Sequence, residues 1–383
     1  MNTMKIAINC QFCQPKGGGI KEYIVNLTNG IAAVDDTNTY VLYVLEDQLE
    51  FARSLLPSKF KLKTIPYKSN FLSVVKRSLF SRFFWLQEEQ TEQFDIFHSP
   101  FFHAPKLKKA KLVITVHDLR LYRFPKTYNY FRYQFLKRAV KDAIHRADRI
   151  ISISDFTKSE ILALCDTAPE KITVIHEAIN RRSFSSDLLA SYQLPADYSY
   201  LADSRFLFSL GHIEPRKNYQ RLIEAFKMLR NDPRNADLKL VIAGKPYVDT
   251  AAVIKLIDET DNVVYLNFIP RELLLWLYKN AALFVFPSYY EGFGFPPLEA
   301  ASLGTLSAVS NVSSIPEVCG ECAFYFDPYN TSDMARVIDT ALNSTDERRE
   351  KAARIEPQLN SFSWVKNAEE TVRLYTTIAN QQN

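Results

Sequence analysis

The feature that most constrains this chain is a rhythm that runs from end to end. Short runs rich in Val, Ile, Leu and Phe alternate with longer stretches of helical periodicity. In the first half the strand-like runs are 5–10, 40–45, 61–66, 95–99, 112–117, 149–154 and 172–176. Several are near-continuously apolar, as strands of a parallel sheet covered on both faces must be. Helical patterns follow at 19–34, 130–146 and 155–164. The second half repeats the pattern, with strands at 205–211, 238–243, 263–268, 283–287, 306–310 and 323–326. Its helices read at 218–230, 250–259, 271–280, 297–303, 332–343 and 345–355. The expected fold class is therefore α/β, with two doubly wound parallel-sheet domains.

Length agrees, since 383 residues suit two domains. The expected boundaries are 1–187 for the first domain, 188–203 for a linker, and 204–361 for the second. Residues 181–203 lack sustained periodicity and carry two runs of Ser, Asp and Tyr. Ligands in such sheets bind beyond the carboxyl ends of the strands, so a cleft between the halves is the expected site.

Charge divides the same way. Residues 1–200 hold 28 Lys and Arg against 20 Asp and Glu, whereas residues 201–383 hold 19 against 23. The basic half could face a phosphate-rich ligand or an anionic membrane. No base-stacking module accompanies it, so nucleic acid is not an expected partner. The longest apolar runs fall far short of the ~20 residues a membrane span needs. The start of the chain enters a strand directly, without a signal-peptide pattern, and a cytoplasmic location is expected. Cys10 and Cys13, Cys319 and Cys322, and Cys165 read as reduced thiols rather than zinc ligands, the two pairs being far apart in the chain.

Four constellations carry chemistry. Lys16-Gly17-Gly18-Gly19-Ile20 follows the first strand and opens a helix, where free N–H groups meet anions. It is neither a dinucleotide fingerprint nor a P-loop. His117 and Asp118 end an apolar strand, which places an imidazole at the ligand edge of the sheet. Gly211-His212-Ile213-Glu214-Pro215-Arg216-Lys217-Asn218 brings two adjacent cations to a helix start, a site suited to a diphosphate. The most specific is Glu291-Gly292-Phe293-Gly294-Phe295-Pro296-Pro297-Leu298-Glu299-Ala300. One carboxylate stands in the loop and the second in the first helical turn, suited to gripping sugar or ribose hydroxyls.

This last loop resembles the E-x7-E signature of retaining nucleotide-sugar glycosyltransferases of family 4 (GT4), which have the GT-B fold. Lys16–Ile20 is similar to that family's glycine loop. Val116-His117-Asp118-Leu119, Phe124-Pro125, 147–154 and the run Gly211–Asn218, with its Glu-Pro-Arg-Lys-Asn, resemble its bacterial mannosyltransferase branch. Phe362-Ser363-Trp364 resembles the opening of a last helix, 362–383, that crosses back to the first domain. Two departures stand out. Ala178 occupies a usual Gly position within His176-Glu177-Ala178-Ile179, and Thr305-Leu306 replaces a frequent Pro after Gly304.

The resemblance implies roles. Arg216 and Lys217 would neutralise the leaving diphosphate, and Glu299 would hold the ribose. Glu291 would contact the donor sugar, with His117 bonding the same sugar at its 6-hydroxyl. Gly18, Gly19, Gly211, Phe293, Gly294, Phe295 and Leu298 would line the donor, and Asp118 and Ser154 the acceptor side. No D-x-D sequence is present, so cations and a helix dipole rather than a metal are expected at the diphosphate. GDP-mannose is the implied donor, with UDP-sugars and dTDP-rhamnose as alternatives. The implied acceptor is a lipid-linked saccharide of O-antigen or exopolysaccharide synthesis. The interleaved aromatic and basic segment Phe71–Trp85 suits either an anionic membrane at the inner face of the plasma membrane or the domain's own core. A phosphorylase-like enzyme and a non-catalytic sugar-binding protein remain as other readings of the same fold.

Overall fold

The computed structural model describes residues 3–15, 17–68, 71–102 and 104–380, and for residues 71–81 the backbone alone. The chain divides into two compact units, residues 1–178 with 362–383, and residues 179–361.

The first unit is built on a seven-stranded parallel sheet. Its strands are β1 (Lys5–Asn9), β2 (Thr39–Leu45), β3 (Lys61–Ile65), β4 (Ile96–Ser99), β5 (Lys111–Val116), β6 (Arg149–Ser152) and β7 (Ile172–Val174), in the order β3-β2-β1-β4-β5-β6-β7. Both faces are covered, which explains the unbroken apolar runs. Ile6, Ile8, Tyr40, Leu42 and Val44 pack into one core, while Ala7, Val41, Tyr43 and Leu45 point into the other. The helix Trp364–Asn380 belongs to this unit and packs on the helix Gly18–Val34. Gly30 permits that approach, because a Cβ there would stand 2.8 Å from the Trp364 carbonyl oxygen.

The second unit carries six parallel strands: β8 (Phe206–Leu210), β9 (Lys239–Ala243), β10 (Val263–Leu266), β11 (Leu283–Phe286), β12 (Ser307–Ser310) and β13 (Ala323–Phe326). Their order is β10-β9-β8-β11-β12-β13. Residues 181–201 hold three short 3-10 turns, and Leu201 is buried in this unit's core with Phe184, Tyr192 and Tyr198 against it.

In each sheet the chain winds outward from a central strand and then returns to its other side. The reversals lie between β1 and β4 and between β8 and β11. A doubly wound sheet opens a crevice at such a point, beyond the strand ends. The observed elements add a helix, Phe71–Glu92, that is not among the expected helical patterns, and several others differ at their ends. The strand read at 149–154 stops at Ser152, because Ser154 caps the helix Asp155–Leu164 with its hydroxyl. The helix read from Pro297 begins at Phe295, since both prolines fit a first turn whose N–H groups need no partner. The helix read at 345–355 continues to Asn360 through Pro357.

Candidate active site

In the second unit the reversal point gathers charge. After β8, Gly211 adopts φ +151°, and a Cβ there would lie 2.9 Å from Lys217 Cε. Glycine therefore clears the path along which the Lys217 stem lies. Pro215–Lys217 forms a 3-10 turn, and Asn218 takes φ +59° before the helix Tyr219–Arg230. The Asn218 amide donates to the carbonyls of Pro287, 3.1 Å, and Pro328, 2.9 Å. These bonds tie the cation turn to the loops that follow β11 and β13.

From the loop after β11 Glu291 reaches back. Its Oε1 lies 2.6 Å from Lys217 Nζ and 2.8 Å from Arg216 Nη1. Arg216 also pairs with Glu214, Nε to Oε1 2.8 Å, and donates to the Tyr290 carbonyl. Lys217 Nζ sits 4.7 Å from the Phe286 ring centroid. Burial works to raise the Glu291 carboxyl, but Lys217 and Arg216 overcome it and hold its pKa at about 2. Burial lowers Lys217 from its ordinary value, with Glu291 opposing. The cluster thus holds two cations against one shared carboxylate, plus Glu214 behind.

The loop backbone is pinned from the other side. Ser314 Oγ donates to the carbonyls of Glu291 and Phe293, and Ser313 Oγ accepts from the Glu291 N–H. Gly294 takes φ +102° and precedes the helix Phe295–Ser302. Phe293 and Leu298 are buried, so their side chains serve the core and only their backbones remain for a ligand. Glu299 is half-buried on that helix, and Tyr278 Oη donates to its Oε2 at 2.7 Å. Among the described residues no cation lies within ion-pair distance of it. Burial raises its pKa to about 7, against smaller opposing effects of Tyr278, Arg271 and Lys217.

The first unit holds the remaining candidates. Gly17 has no room for a side chain, since a Cβ would fall 2.2 Å from the Phe12 carbonyl oxygen. Gly18, at φ +58°, and Gly19 are exposed and open the helix Gly18–Val34. Lys16 lies outside the described residues. His117 follows β5 with both ring nitrogens engaged. Nδ1 meets Glu177 Oε1 at 2.9 Å, and Nε2 meets the Pro100 carbonyl at 2.8 Å. A carboxylate and a carbonyl both accept, so this arrangement favours a proton on each nitrogen, the imidazolium form. Burial opposes that charge, but the Glu177 carboxylate prevails and raises the pKa. The edge of the Tyr23 ring closes the other side, at 4.8 Å between centroids.

Asp118 accepts from the Arg120 N–H and stays partly exposed. Ser154 is fully buried and its hydroxyl is spent on Thr157, donating to Oγ1 and accepting from the backbone N–H. Of the Phe71–Trp85 segment, Lys76 and Arg77 have side chains outside the described residues. Trp85 is buried, 5.0 Å from the Tyr43 ring. Three neighbouring lysines are paired within the unit: Lys59 with Asp36, Lys61 with Glu92, and Lys63 with Glu88 and Glu92. All five cysteines are free and buried.

Four residues went unread in the sequence. Glu177 stands in the quoted His176–Ile179 turn, one place before the departure at Ala178, and a carboxylate beside a strand-end His was the available signal. Glu214 lies inside the cation motif itself. Tyr278, on the helix Arg271–Asn280, and Ser314, just before the helix Ile315–Cys319, are distant in the chain and left no local signal.

Comparison with known proteins follows the same division. Residues 197–358 match the family model Glycosyl transferases group 1, and residues 17–182 match Glycosyltransferase Family 4. The chain is 31% identical to O-antigen chain mannosyltransferase B of Escherichia coli over 288 residues, which are 73% of this chain and 74% of that protein. It is 32% identical over 238 residues to the serotype-specific mannosyltransferase WbdA of Escherichia coli, covering 61% of this chain but only 29% of that longer protein. Among solved structures, sucrose-phosphate synthase from Thermosynechococcus elongatus superposes with a TM-score of 0.74 at 17% identity, covering 98% of this chain and 99% of that one. WaaG, described as a glycosyltransferase involved in lipopolysaccharide biosynthesis, gives 0.66 at 18% identity, covering 96% and 99%. These likenesses carry the GT-B fold.

Proposed function

The chain belongs to the family 4 glycosyltransferases, and from that premise we propose that it transfers mannose from GDP-mannose to a lipid-linked saccharide in O-antigen synthesis. The sugar rests on relatives named O-antigen and serotype-specific mannosyltransferases. The observation that carries the chemistry is the buried pairing of Arg216 and Lys217 with Glu291.

In this reading Arg216 and Lys217 meet the donor diphosphate and stabilise the charge that builds as the glycosidic bond breaks. Fixed cations in a dry site are worth far more than in water, because they need not reorganise during reaction. Glu291, released from part of its pairing, turns to the donor sugar. Glu299 accepts from the ribose hydroxyls, and the backbone of Phe293, Gly294 and Phe295 supports the sugar and phosphate. His117, held cationic by Glu177, donates to a sugar hydroxyl in competition with the Pro100 carbonyl. Gly18 and Gly19 offer N–H groups to a phosphate, and Asp118 stands on the acceptor side.

The transfer retains configuration, with the leaving phosphate oxygen taking the acceptor proton on the same face. A covalent intermediate on Glu291 is the weaker reading. A carboxylate with a pKa of about 2, shared between two cations, is a poor nucleophile. With two side-chain cations at the diphosphate, the reaction does not require a metal. A lipid-linked acceptor places the work at the inner face of the plasma membrane. Among the described residues no helix is long and apolar enough to cross a membrane.

Purified protein supplied with GDP-mannose, UDP-glucose and dTDP-rhamnose in parallel tests the donor. GDP-mannose should turn over fastest and persist in EDTA. Preferred turnover of either other donor overturns the mannose assignment while leaving the glycosyltransferase class intact.

A further inference from the structure

The helix Tyr130–Arg146 exposes what a buried sheet-covering helix should hide. Its inner face is conventional, with Val140, Ala143 and Ile144 buried. Its outer face near the start carries Phe131 at 85% exposure and Phe135 at 59%, one turn apart, beside Tyr130 at 69%. Arg138 continues that row one turn further on, and Arg132 flanks it.

The charge around these rings has one sign. Residues 119–141 contain seven Lys or Arg and no Asp or Glu. Arg123 is paired with Glu160, and Arg120 approaches Asp118. Lys126, Arg132, Lys137, Arg138 and Lys141 make no ion pair among the described residues. Arg132 and Lys137 lie over the rings of Tyr128, Tyr122 and Tyr133 instead. This contrasts with Lys59, Lys61 and Lys63 near β3, which are paired within the unit.

We propose that the N-terminal half of the helix Tyr130–Arg146 is a docking surface for an anionic lipid bilayer, with Phe131 and Phe135 seated at headgroup level. Exposed aromatic rings interleaved with cations suit that interface: the rings prefer the headgroup boundary and the cations the lipid phosphates. A second copy of this chain fits poorly, because a two-fold contact would set like charge against like.

Position adds a reason. β5 runs toward His117, and the chain reaches Tyr130 only thirteen residues later through the short helix Arg120–Arg123. The exposed rings therefore lie toward the carboxyl edge of the first sheet, the edge that carries His117. A bilayer seated there presents its headgroups to the same edge. The inference rests on the lipid-linked acceptor only for the choice of a membrane as occupant.

Co-sedimentation with vesicles tests it, without donor or acceptor. The full chain is mixed with phosphatidylcholine vesicles and with vesicles that also contain phosphatidylglycerol. Binding should appear with the anionic vesicles and fall with added salt. The double variant Phe131→Ser/Phe135→Ser should weaken it about tenfold, and Arg132→Glu/Arg138→Glu at least as much. Both should keep the wild-type thermal transition, because the altered side chains are exposed, and the charge variant guards against misfolding of the first.

Absence of wild-type binding, or binding unchanged in both variants, overturns the proposal. So does self-association, or capture of an acidic protein, that the Phe variant abolishes in lipid-free buffer while vesicle binding persists. Turnover of GDP-mannose onto a water-soluble acceptor reports separately on the catalytic reading and should be unchanged in both variants.

Discussion

Lys217 and Glu291 face each other across the reversal point of the second sheet, Nζ to Oε1 at 2.6 Å, with side chains only 8% and 12% exposed. The turn after β8 supplies the cation and the loop after β11 the carboxylate. The pair keeps two adjacent cations soluble in a dry site before any diphosphate arrives. It also makes the resting site electrostatically loaded, since a donor diphosphate competes with Glu291 for the same two partners.

Removing the carboxylate charge exposes that load. Glu291→Gln leaves Lys217 and Arg216 buried with Glu214 alone, and breaking such a pair costs about 3–5 kcal/mol. Urea unfolding should show the loss at neutral pH. The folded pKa of Glu291, about 2, lies below its ordinary 4.5. Its contribution is therefore full above 4.5 and lost as pH falls toward 2. The wild type should lose stability through that window more steeply than the Gln variant, and equal slopes would count against the pairing.

Glu299 titrates in the opposite sense. Its pKa of about 7 leaves much of it protonated near neutrality. A ribose clamp works as a carboxylate, so donor affinity should be full above about pH 7 and fall up to tenfold for each pH unit below it. Calorimetric titration of GDP-mannose across that range measures the slope. Glu299→Gln should bind weakly and without the slope. Tyr278→Phe removes a hydrogen bond that holds the pKa down, so its midpoint should move to higher pH. A midpoint unmoved in that variant would deny Tyr278 its part.

His117 depends on Glu177. The folded pKa is raised, so the stability this pair contributes is full below the ordinary 6.5 and lost as pH rises through the raised value. In Glu177→Gln, burial prevails and His117 becomes neutral at a lower pH. Nitrogen-15 spectra should show two protonated ring nitrogens at neutral pH in the wild type and one in the variant. Turnover should fall with that loss of charge, and Glu177→Asp should restore part of both. An imidazolium that persists in the Gln variant would place its cause elsewhere.

Gly211 is the backbone counterpart. Gly211→Ala sets a Cβ 2.9 Å from Lys217 Cε and 3.2 Å from Lys217 Cδ, at φ +151°. Strain of this kind costs about 1–3 kcal/mol. Because the Lys217 stem is the flexible party, it should move first. Donor turnover should fall about tenfold or more, with a smaller fall in thermal stability. Full turnover in this variant would mean that the Lys217 position does not matter.

Much of this was legible in the sequence because the fold is repetitive. Several of the thirteen strands could be read from near-continuous apolar runs, since burial on both faces removes the alternation that would blur them. Arg216, Lys217, Glu291 and Glu299 could be read because local backbone needs, Gly211, Gly294 and the two prolines, mark their turns. What stayed hidden depends on partners distant in sequence. Nothing near Glu299 reveals Tyr278, and nothing near His117 reveals that Glu177, sixty residues later, sets its charge. The basic surplus of the first half misled in a similar way. Composition counts Lys59, Lys61 and Lys63, but only the structure pairs them and leaves the Arg132–Lys141 charges outward.

The most direct test of the whole account is turnover of GDP-mannose by the wild type and by Lys217→Ala, followed as mannosylated lipid-linked product. The wild type should transfer mannose and the variant should fall about a hundredfold or more, the effect of removing one fixed charge from a transition-state site. Transfer at the wild-type rate without Lys217 would contradict this.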